Sequence, residues 1–551
     1  MWNSNDDNVA DNELFLKSVA VCLGALILMF SAFLWLGAAT AHTHDGGCGS
    51  NEGDYLAGAV TMHLAMKEGR PLRYLLNPGF FMAPLQLILA QPLFALENHG
   101  VKVMRHLNLV YLFALLCATC VLAARLFGKP AGVLAALLLI SFNATFTVAW
   151  FYHQLILTGL FITLTILFLL ESNRLRNKGM TLLTGLCMAG ALLSHRGSPL
   201  LMLAPPVGLY FLISIWEVRS RFVLFGLIAL LGVAAIPAYG HLHHYYALKV
   251  TFTAEQVDAG LNQNRDLFHF VKTLSELHLT KYLGWCWPMA AAFIAWRGRK
   301  DSRLWVLLAA ALPPLFWFGF FGTKNADYIY PIIPMIAVMI AGAAWLIPMK
   351  AARFIAVGFL AIVSIIMGLF MPNVFSHPGK YSDSSFLYRL SIRPSMPFTS
   401  SAPGLNESCD ELMEMLREVD LGSAVILHVA YPVGDTDFNL QPAGDSMSTT
   451  RDLFVCGALA RTDLPAAQIG LPDAPTKGVH AEVWVYPKDS SQYEKAYAVA
   501  KAQTRTEPGA PAWDEDNNPL NISPPSRPPG EARVLSVTLF HNEPVVVYGL
   551  P

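Results

Sequence analysis

A short acidic cluster near the N-terminus carries the side chains best suited to proton transfer. Glu52, Asp54 and Tyr55 lie within four positions of one another, just after the first long apolar stretch. A carboxylate beside a hydroxyl group can remove its proton and so act as a general base. Asp54 is therefore our candidate base, with Glu52 as its neighbour. The alternative is that Asp54 only caps the helix that it begins.

Two basic residues much further along the chain have the chemistry to hold an anion. Arg196 follows His195 in a short polar break, and Lys324 lies four residues before Tyr328. A guanidinium donates paired hydrogen bonds to a phosphate, and an ammonium binds it as a point charge. The alternative for both is contact with lipid headgroups, since long basic side chains extend from apolar segments to the water interface.

A histidine pair is the candidate metal site. His241 and His244 are three positions apart and would share one face of a helix. Together with His42 or His44 they could bind a divalent ion. The alternative is that they are polar residues at a membrane interface. The sequence thus leaves the cofactor open between none and a divalent metal, Mg²⁺ or Mn²⁺.

The elements that must position these residues are membrane helices. The chain has 551 residues, of which 54% are hydrophobic and 14% charged, whereas soluble proteins have about 25% charged residues. This composition excludes an ordinary soluble globule and a disordered chain. A helix needs about 20 apolar residues to cross a membrane. We predict eleven spans, at about residues 17–41, 101–125, 130–146, 150–170, 180–195, 198–215, 222–243, 281–296, 303–321, 328–348 and 353–371.

The basic residues indicate how these spans are oriented. Alternate short turns hold thirteen Lys and Arg residues, whereas the short turns on the other side hold only Arg196 and Lys324. Because cytoplasmic loops are rich in Lys and Arg, the first set is predicted to be cytoplasmic. The N-terminus is then cytoplasmic, and the long loops 42–100 and 244–280 are external. We predict a multi-pass protein, most compatible with a bacterial inner membrane.

The last third of the chain differs in composition. Residues 372–406 are rich in Ser and Pro and are predicted to be a linker. Residues 407–551 show short strand and helix patterns that include a terminal hairpin within 534–548. The predicted fold class is therefore an α-helical polytopic membrane protein, residues 1–371, with a C-terminal external (periplasmic) α/β domain.

Charge and cysteine usage fit this division. The first 372 residues carry a net charge of +8 and the remainder −9, and no basic tract suggests a nucleic-acid partner. Cys409 and Cys456 are the two cysteines of the predicted external domain. Because an external compartment is oxidising, we predict a disulfide between them.

Three motifs occur in a fixed order and on the same predicted side of the membrane. They are Glu52-Gly-Asp54-Tyr55, Ser194-His195-Arg196-Gly197 and Lys324-Asn-Ala-Asp327-Tyr328-Ile-Tyr330-Pro331. Together they resemble the motifs of the GT-C glycosyltransferases, which include protein O-mannosyltransferases and lipid A aminoarabinose transferases of the GT39 type. The resemblance covers roughly residues 15–371 and implies about eleven helices in a GT-C-like arrangement.

The resemblance implies an activity and a set of partners. Such enzymes transfer a sugar from a polyprenyl-phosphate carrier to a lipid, glycan or protein acceptor at the outer face of the membrane. Asp54 and Glu52 would then be catalytic. Tyr55, His195, Arg196, Lys324 and Tyr328 would bind substrate, with Arg196 and Lys324 on the donor phosphate. Membrane lipids are further partners, and nucleic acid is not.

One departure from the family pattern keeps two alternatives open. Members commonly carry a second acidic residue in the turn between spans three and four, where this chain has His153 and Gln154. A catalytically inactive scaffold is therefore one alternative, and a metal-assisted mechanism is in doubt. A transporter of lipid-linked substrates is the other. It is disfavoured because the spans hold few charges at mid-depth and the sequence shows no internal repeat.

Overall fold

The structure is a computed structural model of the chain. It describes residues 24, 26–31, 55, 59, 62, 66, 69, 84–95, 101–149, 152–195, 198–217, 228–229, 231–232, 267–279, 283–320, 326–376, 429–430, 481–485, 494–498, 533–540 and 543–549.

Helices dominate the described residues up to position 376, as the hydropathy predicts. They are α1 (Pro84–Ala95), α2 (Val101–Phe127), α3 (Lys129–Ser141), α4 (Asn143–Ala149), α5 (Gln154–Glu171), α6 (Lys178–Ser194), α7 (Ser198–Glu217), α8 (His269–Thr273) with a π-helical turn (Leu274–His278), α9 (Cys286–Arg297), α10 (Ser302–Phe320), a 3₁₀ helix (Ala326–Ile332), α11 (Ile333–Trp345) and α12 (Lys350–Ser376).

Several of these helices have the length and composition of membrane spans. Within the described ranges, five helices are long and apolar enough to cross a bilayer: Met104–Phe127, Gln154–Glu171, Ser198–Ile215, Ser302–Gly319 and Tyr328–Trp345. Lys129–Ser141 and Lys178–Ser194 are shorter apolar helices. The predicted spans at residues 17–41 and 222–243 lie largely outside the described residues, so the predicted total of eleven stays a prediction.

Two of the predicted spans differ from the structure. The predicted span 130–146 is divided into α3 and α4, because Phe142 has an extended backbone (ψ 138°) and its N–H donates to Leu139 O. Phe142 is buried and apolar, so hydropathy does not mark the break. The predicted span 281–296 contains α9, which begins at Cys286 and has 12 residues. This helix is about 18 Å long, well short of the bilayer core.

The core of the helical region is built around α11. Every residue from Ile333 to Ala344 is buried, as expected for a helix that is apolar on all sides. It packs against α3, α9 and α10. A close approach between α2 and α3 depends on Gly132, since a Cβ atom there would lie 2.6 Å from the Cys120 carbonyl oxygen.

Contacts divide the described residues into two units. One contains those within 1–42, 72–89 and 105–396, and the other those within 43–71, 90–104 and 397–551. The second unit includes the helical residues Tyr55, Ala59, Met62 and Met66 of the first long loop. The Gln91 side-chain amide donates to the Ala59 carbonyl oxygen over 3.2 Å.

The second unit also contains a four-stranded sheet. Its strands are β1 (Val429–Ala430), β2 (Ala481–Val485), β3 (Arg533–Phe540) and β4 (Glu543–Gly549), in the order β1-β2-β4-β3. Strands β1 and β2 are parallel, and β4 is antiparallel to both β2 and β3. The terminal hairpin predicted from the sequence is confirmed, with an irregularity in register between Val534 and Ser536.

Candidate functional site

Two of the predicted substrate-binding residues, more than 130 positions apart in sequence, lie together. The ring centroids of His195 and Tyr328 are 6.2 Å apart, and the ring planes are almost perpendicular at 88°. His195 ends α6, and Tyr328 belongs to the 3₁₀ helix before α11. The second and third sequence motifs therefore meet at one end of the helical unit.

His195 is fixed by its own turn. Helix α6 ends at Ser194, and His195 has an extended backbone (φ −153°, ψ 150°). Its Nδ1 lies 2.6 Å from the Ser198 hydroxyl, at the first residue of α7. His195 and Ser198 are both buried. Pro199 suits the first turn of α7, because a proline there removes an N–H group that a helix leaves unpaired.

Tyr328 is positioned by two helices. Its ring stacks on Phe318 of α10, with centroids 6.4 Å apart and planes inclined by 25°. The same 3₁₀ helix packs against α5, where Pro331 Cα would lie 3.5 Å from a Cβ atom on Gly159. The phenol is half-buried. Its ring therefore contacts both Phe318 and His195.

His153 is a third member of this cluster, and the sequence-based set of site residues did not include it. It is the N-cap of α5, and its Nδ1 accepts a hydrogen bond from the Leu155 N–H over 3.2 Å. It stands one residue before the apolar span Gln154–Glu171. In the sequence, His153 is indicated by the polar break that precedes Gln154.

Uncharged polar groups continue from this cluster into the interior. The Tyr152 hydroxyl donates to the Gln86 carbonyl oxygen over 3.1 Å, and the Ser194 hydroxyl donates to Thr158 over 3.0 Å. Gln86 and Gln154 are buried, and in the described part of the chain Gln154 Oε1 has no hydrogen-bond partner. A buried amide oxygen without a partner is costly.

The other predicted site residues are placed as follows. Tyr55 is helical and half-buried in the second unit. The remaining ones lie outside the described residues: Glu52, Asp54, Arg196, Lys324, His241, His244, Cys409 and Cys456. Their predicted roles stay predictions.

The described residues supply few donor groups for a metal ion. Among them, no three His, Cys, Asp or Glu side chains come together as ligands. The cluster at His195 supplies imidazole, hydroxyl and phenol groups. The predicted metal ligands His241 and His244 lie outside the described residues.

Structural comparison defines the class of fold. The structure of ArnT (aminoarabinose transferase) from Cupriavidus metallidurans bound to undecaprenyl phosphate matches 95% of this chain and 98% of its own, with a TM-score of 0.55 and 14% sequence identity. The apo structure of ArnT matches 98% of both chains, with a TM-score of 0.53 and 13% identity. The chain therefore has the GT-C fold, which confirms the fold expected from the motifs.

A third similar structure is the Archaeoglobus fulgidus oligosaccharyltransferase in complex with Zn and sulfate. It matches 86% of this chain and 69% of its own, with a TM-score of 0.47 and 12% identity. No protein-family model and no curated protein sequence matches the chain.

Proposed function

We propose that this chain is an integral-membrane glycosyltransferase that moves a sugar from a polyprenyl-phosphate donor to an acceptor at the external face of the membrane. The observation that carries the proposal is the meeting of His195 and Tyr328 at one end of a GT-C fold. Both belong to sequence motifs that resemble those of GT-C enzymes, where the resemblance implies substrate binding. ArnT, which has the same fold, binds undecaprenyl phosphate.

The proposed roles follow from the charge of the donor. Its phosphate is anionic and needs cations at the end of the helices, and Arg196 directly follows His195 in sequence. Arg196 and Lys324 would bind the phosphate, while His195 and Tyr328 line the site and Tyr55 contributes from the first loop. Neutral polar groups such as those around Tyr328 suit the hydroxyl-rich sugar.

The proposed reaction is a displacement at the anomeric carbon. The acceptor hydroxyl oxygen forms a bond to that carbon, and the bond from carbon to the phosphate oxygen breaks with its electron pair leaving on polyprenyl phosphate. The hydroxyl proton passes to the Asp54 carboxylate, with Glu52 assisting. Arg196 and Lys324 stabilise the negative charge that grows on the phosphate.

The proposed organisation places this chemistry outside the cell membrane. Residues 1–371 form the membrane domain with external loops 42–100 and 244–280, residues 372–406 the linker and residues 407–551 the external domain. The protein lies in the inner membrane of a bacterium, and its N-terminus is in the cytoplasm. We further propose a disulfide between Cys409 and Cys456. A divalent ion would be bound by His241 and His244.

The test is sugar transfer by the full-length protein in nanodiscs, supplied with labelled undecaprenyl-phosphate sugars and membrane acceptors. Asp54→Asn should lower the rate by about 100-fold or more, because a positioned general base contributes at least that factor. Glu494→Gln, at an exposed helical position of the second unit, is the matched control and should leave the rate unchanged. Full transfer by Asp54→Asn would remove Asp54 from the role of base.

A catalytically inactive scaffold is the second candidate, favoured by one observation. The turn 152–154, where a carboxylate was expected from the family resemblance, contains Tyr152, His153 and Gln154. Absence of turnover with every donor, in a preparation that still binds undecaprenyl phosphate, would favour the scaffold over the enzyme.

A further inference from the structure

Helix α9 has one exposed apolar face. Its N-cap residue Trp285 and the helical residues Met289, Ala292 and Trp296 are all exposed. Their spacings of four, three and four residues place them along one side of the helix. Met289 and Trp296 are 67% and 64% exposed, while the helix packs against α10 and α11. In a chain with helices apolar enough to cross a bilayer, such a face is suited to contact with lipid chains.

The length of this face matches one leaflet of a bilayer. The eleven residue steps from Trp285 to Trp296 correspond to about 16 Å along a helix. The hydrocarbon core is about 30 Å thick, so each leaflet contributes about 15 Å. A lipid beside α9 can therefore lay an acyl chain along the whole face with its headgroup at one end of the helix.

The C-terminal end of α9 offers positive charge to such a headgroup. Arg297, Arg299 and Lys300 are exposed, and in the described part of the chain none of the three forms an ion pair. The acidic residue of the same turn, Asp301, is already paired with Arg303 over 2.7 Å. The turn therefore presents three cations whose nearest carboxylate in sequence is occupied.

Two indole rings lie at the same level as these cations. The guanidinium carbon of Arg297 is 5.7 Å from the centroid of the Trp296 ring, which is a cation–π distance. On α10, the exposed Trp305 donates from Nε1 to the Arg299 carbonyl oxygen over 3.4 Å. Tryptophan is enriched where apolar membrane meets polar headgroups. The turn thus has the side chains of a membrane interface together with an excess of positive charge.

This turn is remote from the candidate site. Helix α10 leads from it to the 3₁₀ helix that contains Tyr328, and its 19 residues span about 28 Å. Helix α11 returns to the same end as the turn, where the Arg353 guanidinium carbon lies 5.3 Å from the Trp345 ring centroid. A second pair of arginine and tryptophan therefore marks this end of the helical unit as an interface.

We propose that the turn between α9 and α10 binds the headgroup of an anionic phospholipid, whose acyl chain lies along the exposed face of α9. Arg299 and Lys300 bind the phosphate oxygens, and Arg297 adds charge from its position over Trp296. Both lipid features are needed, because the cations match the phosphate and the apolar face matches the chain. The inference requires a membrane-embedded chain but no sugar transfer, so its failure would leave the proposed function intact.

The test is lipid binding by the full-length protein in detergent, measured by native mass spectrometry. Phosphatidylglycerol, which is anionic, would be compared with phosphatidylcholine, which is zwitterionic, at equal acyl chain length. The wild type should prefer phosphatidylglycerol by about 10-fold or more, since each basic residue near an anionic headgroup contributes to binding. The double variant Arg299→Gln with Lys300→Gln should lose most of this preference. Equal affinity of the wild type for the two lipids would overturn the inference.

A second double variant is the matched control. Arg176→Gln with Lys178→Gln removes the same charge from exposed positions in the turn between α5 and α6, at the same end of the unit, and should retain the preference. An equal loss in both double variants would indicate diffuse attraction by the whole end and would overturn the proposed site.

Two measurements on the wild type need no variant. The preference for phosphatidylglycerol should decrease as salt is added, because exposed charges are screened, and a preference unaffected by salt would contradict binding through these cations. Bound phosphatidylglycerol should remain when millimolar inorganic phosphate is added, since the acyl chain also contributes to binding. Displacement by phosphate would show a site for a free anion and would overturn the assignment to a lipid.

Discussion

At the scale of single residues, the candidate site consists of side chains that are held in place by neighbouring side chains or by the backbone. Ser198 holds His195, Phe318 supports Tyr328, and the backbone of α5 holds His153. Groups that are already ordered lose little conformational freedom when a ligand binds. If these side chains bind a ligand, its recognition therefore depends on their fixed geometry.

A pH-dependent prediction concerns the turn before α10. Asp301 accepts hydrogen bonds from the side chain and the backbone N–H of Arg303, with a shortest distance of 2.7 Å. The Arg303 side chain, mainly by hydrogen bonding, lowers the pKa of Asp301 against the opposing effect of burial. Asp301 therefore stabilises the fold above the ordinary carboxyl pKa, and this contribution disappears as pH falls through the lowered value.

Asp301→Asn should lower the free energy of unfolding by about 0.5 kcal/mol at pH 7, a small effect because the pair is partly exposed. Thermal unfolding at several pH values would measure it, and the difference from wild type should vanish in strong acid. Arg299→Gln in the same turn, where the side chain is exposed, is the control. A difference that persists unchanged in acid would contradict the ion-pair explanation.

The sequence could indicate some of these residues and not others. His195 and Tyr328 interrupt apolar stretches, so their polarity marks them. Phe318 is one of many aromatic residues in an apolar helix, and only its position against Tyr328 gives it a role. His153 was noted at a polar break, but its function as a cap depends on the exact residue at which α5 begins.

At the scale of elements, hydropathy predicts that apolar helices exist and is weaker on where they end. Helices α2, α5, α6, α7 and α10 lie close to predicted spans. The break at Phe142 was not predicted, because neither proline nor glycine marks it, and small polar residues such as Ser141 and Asn143 also occur inside apolar helices. The 3₁₀ winding of residues 326–332 was also missed, since a hydropathy profile does not distinguish it from α-helix.

Packing between α2 and α3 gives a prediction at this scale. Gly132→Ala would place a methyl group 2.6 Å from the Cys120 carbonyl oxygen, and a backbone atom cannot move away as a flexible side chain can. We expect a loss of about 1–3 kcal/mol in stability. Gly208→Ala in α7 meets nothing within 4 Å and is the matched control.

Thermal unfolding in detergent would compare the two glycine variants. Gly208→Ala should be neutral or slightly stabilising, because alanine favours helix more than glycine does. Equal stability of Gly132→Ala and wild type would show that α2 and α3 are not packed as closely as described.

At the scale of the whole molecule, the shared fold explains how motifs distant in sequence converge. An identity of 14% to ArnT leaves few residues in common, yet the match extends over 95% of this chain. The path of the helices brings residues near 153, 195 and 328 to one end. The sequence could suggest this convergence only because its motifs resemble those of a known family.

Orientation in the membrane is the prediction that belongs to this scale. Arg176, exposed in the turn between α5 and α6, is one of thirteen basic residues assigned to the cytoplasm. In unpermeabilised bacterial spheroplasts, a membrane-impermeant thiol reagent should label Glu494→Cys above the background of native cysteines. It should label Arg176→Cys only after permeabilisation. The reverse pattern would invert the proposed topology.

The winding of residues 326–332 sets how far Tyr328 extends from α11. A 3₁₀ helix rises about 2.0 Å per residue and an α-helix about 1.5 Å. The five residues from Tyr328 to Ile332, coiled as α-helix, would be about 2.5 Å shorter. The rings of His195 and Tyr328 are 6.2 Å apart, so a change of this size would alter their contact. The distance between the His195 and Tyr328 rings thus depends on the winding of one short helix.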